Sequence, residues 1–119
     1  MTDSTTEATT ETARGSERLE RLVRRLRPGD EIEYETSTGH EVSHRVVEVT
    51  VEDGYDRVYA EGPRGGRYLL MPEKPAGMGN HPAPEVFWVN PDPDEGTNQY
   101  EAVTRGSLVS LSVTACWER

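Results

Sequence analysis

Apolar and polar residues alternate with a period of two through most of this chain, and at one place the alternation changes phase; no other feature constrains the fold as much. From Asp30 onward Glu31, Glu33 and Glu35 alternate with Ile32, Tyr34 and Thr36, as a half-buried antiparallel strand requires. In the next segment, 41–52, Val42, His44 and Val46 share one parity while Val47, Val49 and Val51 share the other. An apolar face that switches sides between Val46 and Val47 predicts a bulge or sharp bend, the device by which small barrels turn their corners.

Turn chemistry divides the rest. Thr38-Gly39, Asp53-Gly54 and Gly65-Gly66 separate strands expected at 30–36, 41–52, 55–61 and 67–71. A connection over 72–84, with four prolines and two glycines, leads to an aromatic strand at 85–90. An acidic Pro-stiffened turn at 91–96 precedes the last expected strands, 99–104 and 108–116. Before all of these, Leu19, Leu22, Val23 and Leu26 are spaced i, i+3, i+4, i+7, one stripe of a helix that opens after Ser16 and is stopped by Pro28-Gly29. Residues 1–15 are mostly Thr, Glu, Ser and Ala, a composition expected to remain a disordered, solvated tail.

The expected fold is therefore mainly β: a small antiparallel barrel or sandwich of about seven strands, preceded by one amphipathic helix over 16–27 that lies on an open end or edge of the sheet. One domain spans 16–119, with the barrel over 30–116. The layout is similar to that of SH3-like and Sm-like barrels, which often bind nucleic acid or peptides. The similarity is one of architecture, and no functional residue carries over from it.

Charge describes the solvent. Twelve arginines and a single lysine, Lys74, stand against 22 acidic residues in 119, a net charge of −9. Such a surface stays hydrated in multimolar salt, where the Debye length falls to roughly 3 Å and like charges barely repel. The expected setting is the cytoplasm of an extreme halophile; the lone Cys116 fits a reducing compartment, and no apolar run reaches membrane length. In composition, and over Arg27-Pro28-Gly29-Asp30-Glu31-Ile32-Glu33-Tyr34, the chain resembles small acidic proteins of haloarchaea. That resemblance implies a salt-filled cytoplasm and no particular chemistry.

Three groups of residues are candidates for contact with a partner, either another protein or single-stranded nucleic acid. The segment 16–27 carries five arginines against two glutamates, net +3, and Arg18, Arg21 and Arg25 flank its apolar stripe as a row able to reach phosphates. The plainer reading pairs Glu17 with Arg21 and Glu20 with Arg24 on the helix surface. Tyr55, Arg57 and Tyr59 share a strand face, with Arg67 and Tyr68 expected beside them, a platform on which unpaired bases could stack. The 72–84 loop, with Met71, Met78, His81, Phe87 and Trp88 nearby, is a candidate recognition loop.

Motifs for chemistry are sparse. His40, His44, His81 and Cys116 suggest a metal, but residues four apart on a strand sit about 13 Å apart, and no zinc spacing occurs. Asn90, Asp92, Asp94 and Glu101 imitate part of a calcium loop, with Glu95 where the turn requires glycine. Ser43 and His44 are strand neighbours and face opposite ways. Gly62, Gly65 and Gly66 lie between two strands, a hairpin and not a phosphate cradle. No cofactor is expected, and the leading reading is a non-enzymatic binding module. The alternatives are a nucleic-acid-binding barrel and a small metal-dependent protein or enzyme.

The charge argument predicts that the melting temperature rises with KCl over the molar range. A midpoint indifferent to salt would contradict it.

Overall fold

The computed structural model describes residues 11–89 and 103–115. The elements in order are β1 (Glu11–Arg14), α1 (Ser16–Arg25), β2 (Glu31–Thr36), β3 (Glu41–Glu52), β4 (Tyr55–Glu61), β5 (Arg67–Met71), β6 (Glu85–Val89) and β7 (Val103–Ala115). Strands β2 to β7 form a closed six-stranded antiparallel barrel, because β7 pairs with β2 along one edge and with β6 along the other. β1 is an additional strand on β7, with Glu11 opposite Val113 and Arg14 opposite Ser110.

The phase change in β3 is a bulge: Val46 pairs with Ala60 and Glu48 with Tyr59, so Val47 is the extra residue. Upstream of it Val46 and His44 are buried on the inner face, in parity with Val42. The bulge is tied to the turn after the helix. Asp30 N donates to Arg27 O at 3.0 Å, and Asp30 Oδ2 accepts from Arg27 N at 2.9 Å, which closes Arg27-Pro28-Gly29-Asp30 into a tight turn with Gly29 at φ 100°. Gly29 N donates to Val46 O at 2.8 Å, and Val46 N to Asp30 O at 2.9 Å. Helix exit and barrel corner are thus one hydrogen-bonded unit.

This turn also ends the helix two residues earlier than expected: Leu26 is already extended at ψ 147°, since the residues leading into a proline favour β conformations. At the other end Ser16 is the first helical residue and not the cap. Gly15 holds the cap position, with its carbonyl accepting from Leu19 N. The four expected apolar residues, Leu19, Leu22, Val23 and Leu26, are all buried. They join Ile32, Val46, Val58, Ala60, Leu70 and Leu111 in the main core. α1 touches β7 and β4, which stand three strands apart in the ring, so the helix lies across one opening of the barrel. Each such buried side chain contributes about 1.5–3 kcal/mol.

Two expectations need correction. Residues 11–14, assigned to the tail, are β1, because Ala13 is buried against the core and the strand completes its ladder on β7. Residues 1–10 lie outside the described residues. The segments expected as separate strands at 99–104 and 108–116 are, over the described residues, one strand, β7, which continues through Arg105-Gly106-Ser107. The 72–84 loop is strapped to the barrel. Lys74 Nζ forms an ion pair with Glu85 Oε1 at 3.1 Å and donates a hydrogen bond to Met78 O at 2.7 Å. The fully buried Glu85 also accepts from Thr104 Oγ1 through Oε2, and Ser107 Oγ donates to Pro82 O, both at 2.5 Å. Among the described residues no helix is long and apolar enough to cross a membrane.

Removing one partner of a buried ion pair leaves the other charge uncompensated, at a cost of about 3–5 kcal/mol. Lys74→Met is therefore expected to lower stability in molar KCl by about 3 kcal/mol, and combining it with Glu85→Leu to restore much of the loss. Chemical denaturation of the two variants measures both.

Candidate functional site

At the end of the barrel away from the helix the inner face is aromatic. Tyr34 on β2, His44 on β3 and Tyr68 on β5 all follow the inward parity of their strands, and the β2–β3 register places Ile32 opposite His44 and Tyr34 opposite Val42. His44 stacks on Tyr68 with ring centroids 4.5 Å apart and meets Tyr34 edge-on at 5.3 Å. The Tyr34 hydroxyl and His44 Nδ1 are 2.9 Å apart and buried. Gly62, at the β4–β5 turn, leaves room for this ring: a Cβ there would stand 3.0 Å from His44 Cδ2 and Nε2.

Protonation follows from burial. It pushes the Tyr34 phenol above its ordinary value and holds His44 down at about 4. At neutral pH both groups are therefore uncharged, and the tautomer of the imidazole sets which of the two donates in the 2.9 Å contact. A general base needs a pKa near the working pH, and a phenol nucleophile needs a depressed one; these two groups have neither. The pair suits holding a ligand more than moving a proton.

Above the pair lies a pocket of about 260 Å³ lined by Tyr34, Thr36, His40, Val42, Tyr68, Val86 and Arg105. Arg105 reaches it through a bulge. Val86 pairs with Gly106 and Phe87 with Thr104, so Arg105 is the extra residue on β7. Gly106 takes φ 101°, and a Cβ on it would collide with Ser37 and Thr38 of the β2–β3 turn. Thr38 Oγ1 in turn donates to Arg105 O, and Ser107 N to Ser37 Oγ at 3.0 Å. The guanidinium carbon stands 6.0 Å from the Tyr68 ring centre, and Nε is buried with no hydrogen-bond partner.

Two larger depressions, of about 490 and 400 Å³, lie on the outer wall. The first follows Glu31, Glu33, Arg45 and Glu61, the second Glu33, Glu35, Glu41 and three serines. Both are open grooves between charged side chains, whereas the mouth pocket is deeper set and has aromatic walls.

The sequence candidates are dispersed. Arg18, Arg21 and Arg25 are exposed on α1, at the opposite end from the pocket. The expected Glu20–Arg24 pair forms at 2.9 Å, and Arg24 also meets Asp56 at 2.5 Å and Glu73 at 3.1 Å. Tyr55, Arg57 and Tyr59 do share a face, but not an open one. Tyr59 is 6% exposed and Arg57 9%, since Leu69, Met71, Phe87, Tyr55 and Met78 of the strapped loop pack with Tyr59 as a second core. Arg67 lies over Tyr59 at 4.7 Å, while Tyr68, one residue on, faces the interior. Trp88 pairs with Tyr68 by register and is half-buried, as is His81 in the loop.

For metal chemistry, among the described residues no three His, Cys, Asp or Glu side chains come together around a common point. His40 lines the mouth and His44 packs inside. Cys116, and the residues 90–101 of the calcium-like segment, lie outside the described residues. Arg105 was missed because Arg105-Gly106-Ser107 reads as a linker; a glycine inside an otherwise alternating strand is the signal of a bulge that could have found it.

His44 binds fewer protons folded than unfolded between its folded value of about 4 and its ordinary 6.5, so stability is full above 6.5 and falls with pH through that window. The loss amounts to about 3 kcal/mol at 1.4 kcal/mol per unit. Wild type should lose that much more than His44→Gln between pH 7 and pH 4, read as the difference in denaturant midpoints. No protein-family model, curated protein or solved structure matches this chain, so the chemistry of the site is read from its own residues.

Proposed function

We propose that this protein is a non-enzymatic binding module of a salt-filled cytoplasm, whose barrel mouth receives one compact planar group of a small ligand or partner. The observation that carries the reading is the 260 Å³ pocket with Tyr34 and Tyr68 as ring walls, Val42 and Val86 as apolar walls, and Arg105 at its edge. Its size lies just below the roughly 300–1,000 Å³ that holds drug-sized ligands, and so fits one ring-sized group. Stacking and apolar contact persist in molar salt, whereas exposed charge pairing is screened.

The single-strand nucleic-acid reading ranks behind it. Its stacking platform is occupied by the second core, Arg24 is held by three acids, and the wall below the mouth carries Glu33, Glu35 and Glu41. A metal-dependent enzyme would need His40, His44 and His81 to converge, and they sit on a pocket wall, in the core and in the loop respectively.

Benzamide, neutral and planar, is expected to produce saturable shifts in the Tyr34 and Tyr68 ring resonances in molar KCl, and Val42→Phe, which fills the pocket, to abolish them. A labelled oligonucleotide under the same conditions is expected not to bind. Unmoved tyrosine signals up to the solubility limit would remove the pocket reading, and oligonucleotide binding would put the nucleic-acid reading in its place.

A further inference from the structure

Resting on that reading, we infer that the mouth pocket is built for a carboxylate: a planar acid whose ring lies against Tyr68 and whose carboxylate takes the hydrogen bonds that Arg105 leaves unmade.

The chain has 22 acidic residues for 13 basic ones, and the guanidinium groups on β3, β4 and β5 have found acids. Arg45 pairs with Glu31 at 3.2 Å, Arg57 with Glu52 at 4.0 Å, and Arg67 with Glu48 at 2.5 Å and Glu61 at 3.6 Å. Lys74 has Glu85. Arg105 differs in its ion pairing: among the described residues no carboxylate lies within ion-pairing distance of it. Its Nε is also buried without a hydrogen-bond acceptor. A buried donor without a partner costs about 1–3 kcal/mol, more when it is charged. The position is nevertheless secured by a bulge, a positive-φ glycine and the hydrogen bond from Thr38. Bulges re-aim side chains beside binding sites, and this one places a cation at a pocket whose other walls are mostly aromatic and aliphatic, with Thr36 and His40 among them.

The ligand chemistry follows from what faces the cation. A guanidinium presents Nε–H and Nη–H in a fixed fork that matches the two oxygens of a carboxylate. The rings of Tyr34 and Tyr68 and the side chains of Val42 and Val86 offer a slot for a flat apolar body, and no other arginine or lysine lines the pocket. A dianion such as a phosphate would meet one guanidinium inside a protein of net charge −9. A single carboxylate is neutralised by that one partner. In molar salt a bare ion at this site would be exchanged for chloride, whereas the forked, partly dry contact together with ring burial gives a planar acid the advantage.

The experiment compares benzoate with its neutral isostere benzamide on the full chain in molar KCl at neutral pH, following the Arg105 Nε–H and Tyr68 ring resonances. Benzoate is expected to bind about tenfold or more tightly than benzamide, as a charge-assisted forked contact does over a neutral one. Arg105→Gln should reduce benzoate to the level of benzamide, and Arg105→Lys, which keeps the charge and loses the fork, should fall between. A free acid and the C-terminal carboxylate of a chain share this chemistry. A phenylalanine-terminated tripeptide, with its terminus free or amidated, separates them: a free-terminus peptide matching benzoate points to a chain end, and benzoate alone to a small acid. Equal binding of benzoate and benzamide to wild type overturns the carboxylate assignment and leaves the binding reading standing. Shifts with none of the probes overturn both.

Discussion

Closure of the sheet depends on one strand serving several neighbours. β7 pairs with β6 through Val103 to Ser107 and with β2 through Leu108 to Ala115, while β1 lines its other edge beyond the point where β6 ends. No straight strand can do this in a small barrel, since closing a sheet requires tilt and stagger. The stagger is taken up at irregularities: the Arg105 bulge opposite β6, a second shift opposite Glu35 and Thr36, and the Val47 bulge between β3 and β4. Barrel and pocket share a cause. The bulge that lets β7 leave β6 for β2 is the one that turns Arg105 into the mouth.

The two ends of the barrel solve the same problem differently. At one end the leucine stripe of α1 enters the core, and the Arg27–Asp30 turn fixes the helix exit to the β3 bulge. At the other end no helix lies among the described residues, and the interior is filled by hydrogen-bonded and stacked rings that keep a polar edge. Filling a barrel end with Tyr34, His44 and Tyr68 requires each polar atom to find a partner. Tyr34 and His44 find one another. Burial, which raises the phenol and lowers the imidazole, keeps both uncharged, so the layer carries no net charge next to the aliphatic core.

Much of this was legible because period and parity act locally. The phase change at Val46 and Val47, the helix stripe and the hairpins at Asp53-Gly54 and Gly65-Gly66 each belong to a few consecutive residues, and the structure carries them all. What was not legible lies across the sheet. Tyr59 and Tyr68 read as one aromatic patch, yet strand pairing puts Leu69 opposite Tyr59 and turns Tyr68 to the interior. That the 72–84 loop covers Tyr59 depends on Lys74 reaching Glu85, which composition marked only as the chain's one lysine. Arg105 was hidden for a similar reason, because a bulge is defined by two strands and a sequence shows one at a time.

The pocket is a consequence of small residues at two positions. Val42 and Val86 occupy inward places in the upper layer, where the layer below has Val46, Ile32 and Leu70 in one core with the helix leucines. With no helix among the described residues to descend on them, two valines leave the mouth unfilled, and an apolar gap in a barrel end loses the contacts that its lining would otherwise make. A larger side chain at either position would close the gap and improve packing by the ordinary rules of core design. The chain instead keeps valines, anchors a glycine at φ 101° behind them, and places at the rim a cation that no described acid meets. The unfilled gap and the unmatched cation each cost stability, and the glycine brings the two together. An anion with an apolar body would offset both costs, since its ring fills the gap and its oxygens satisfy Nε and balance the guanidinium.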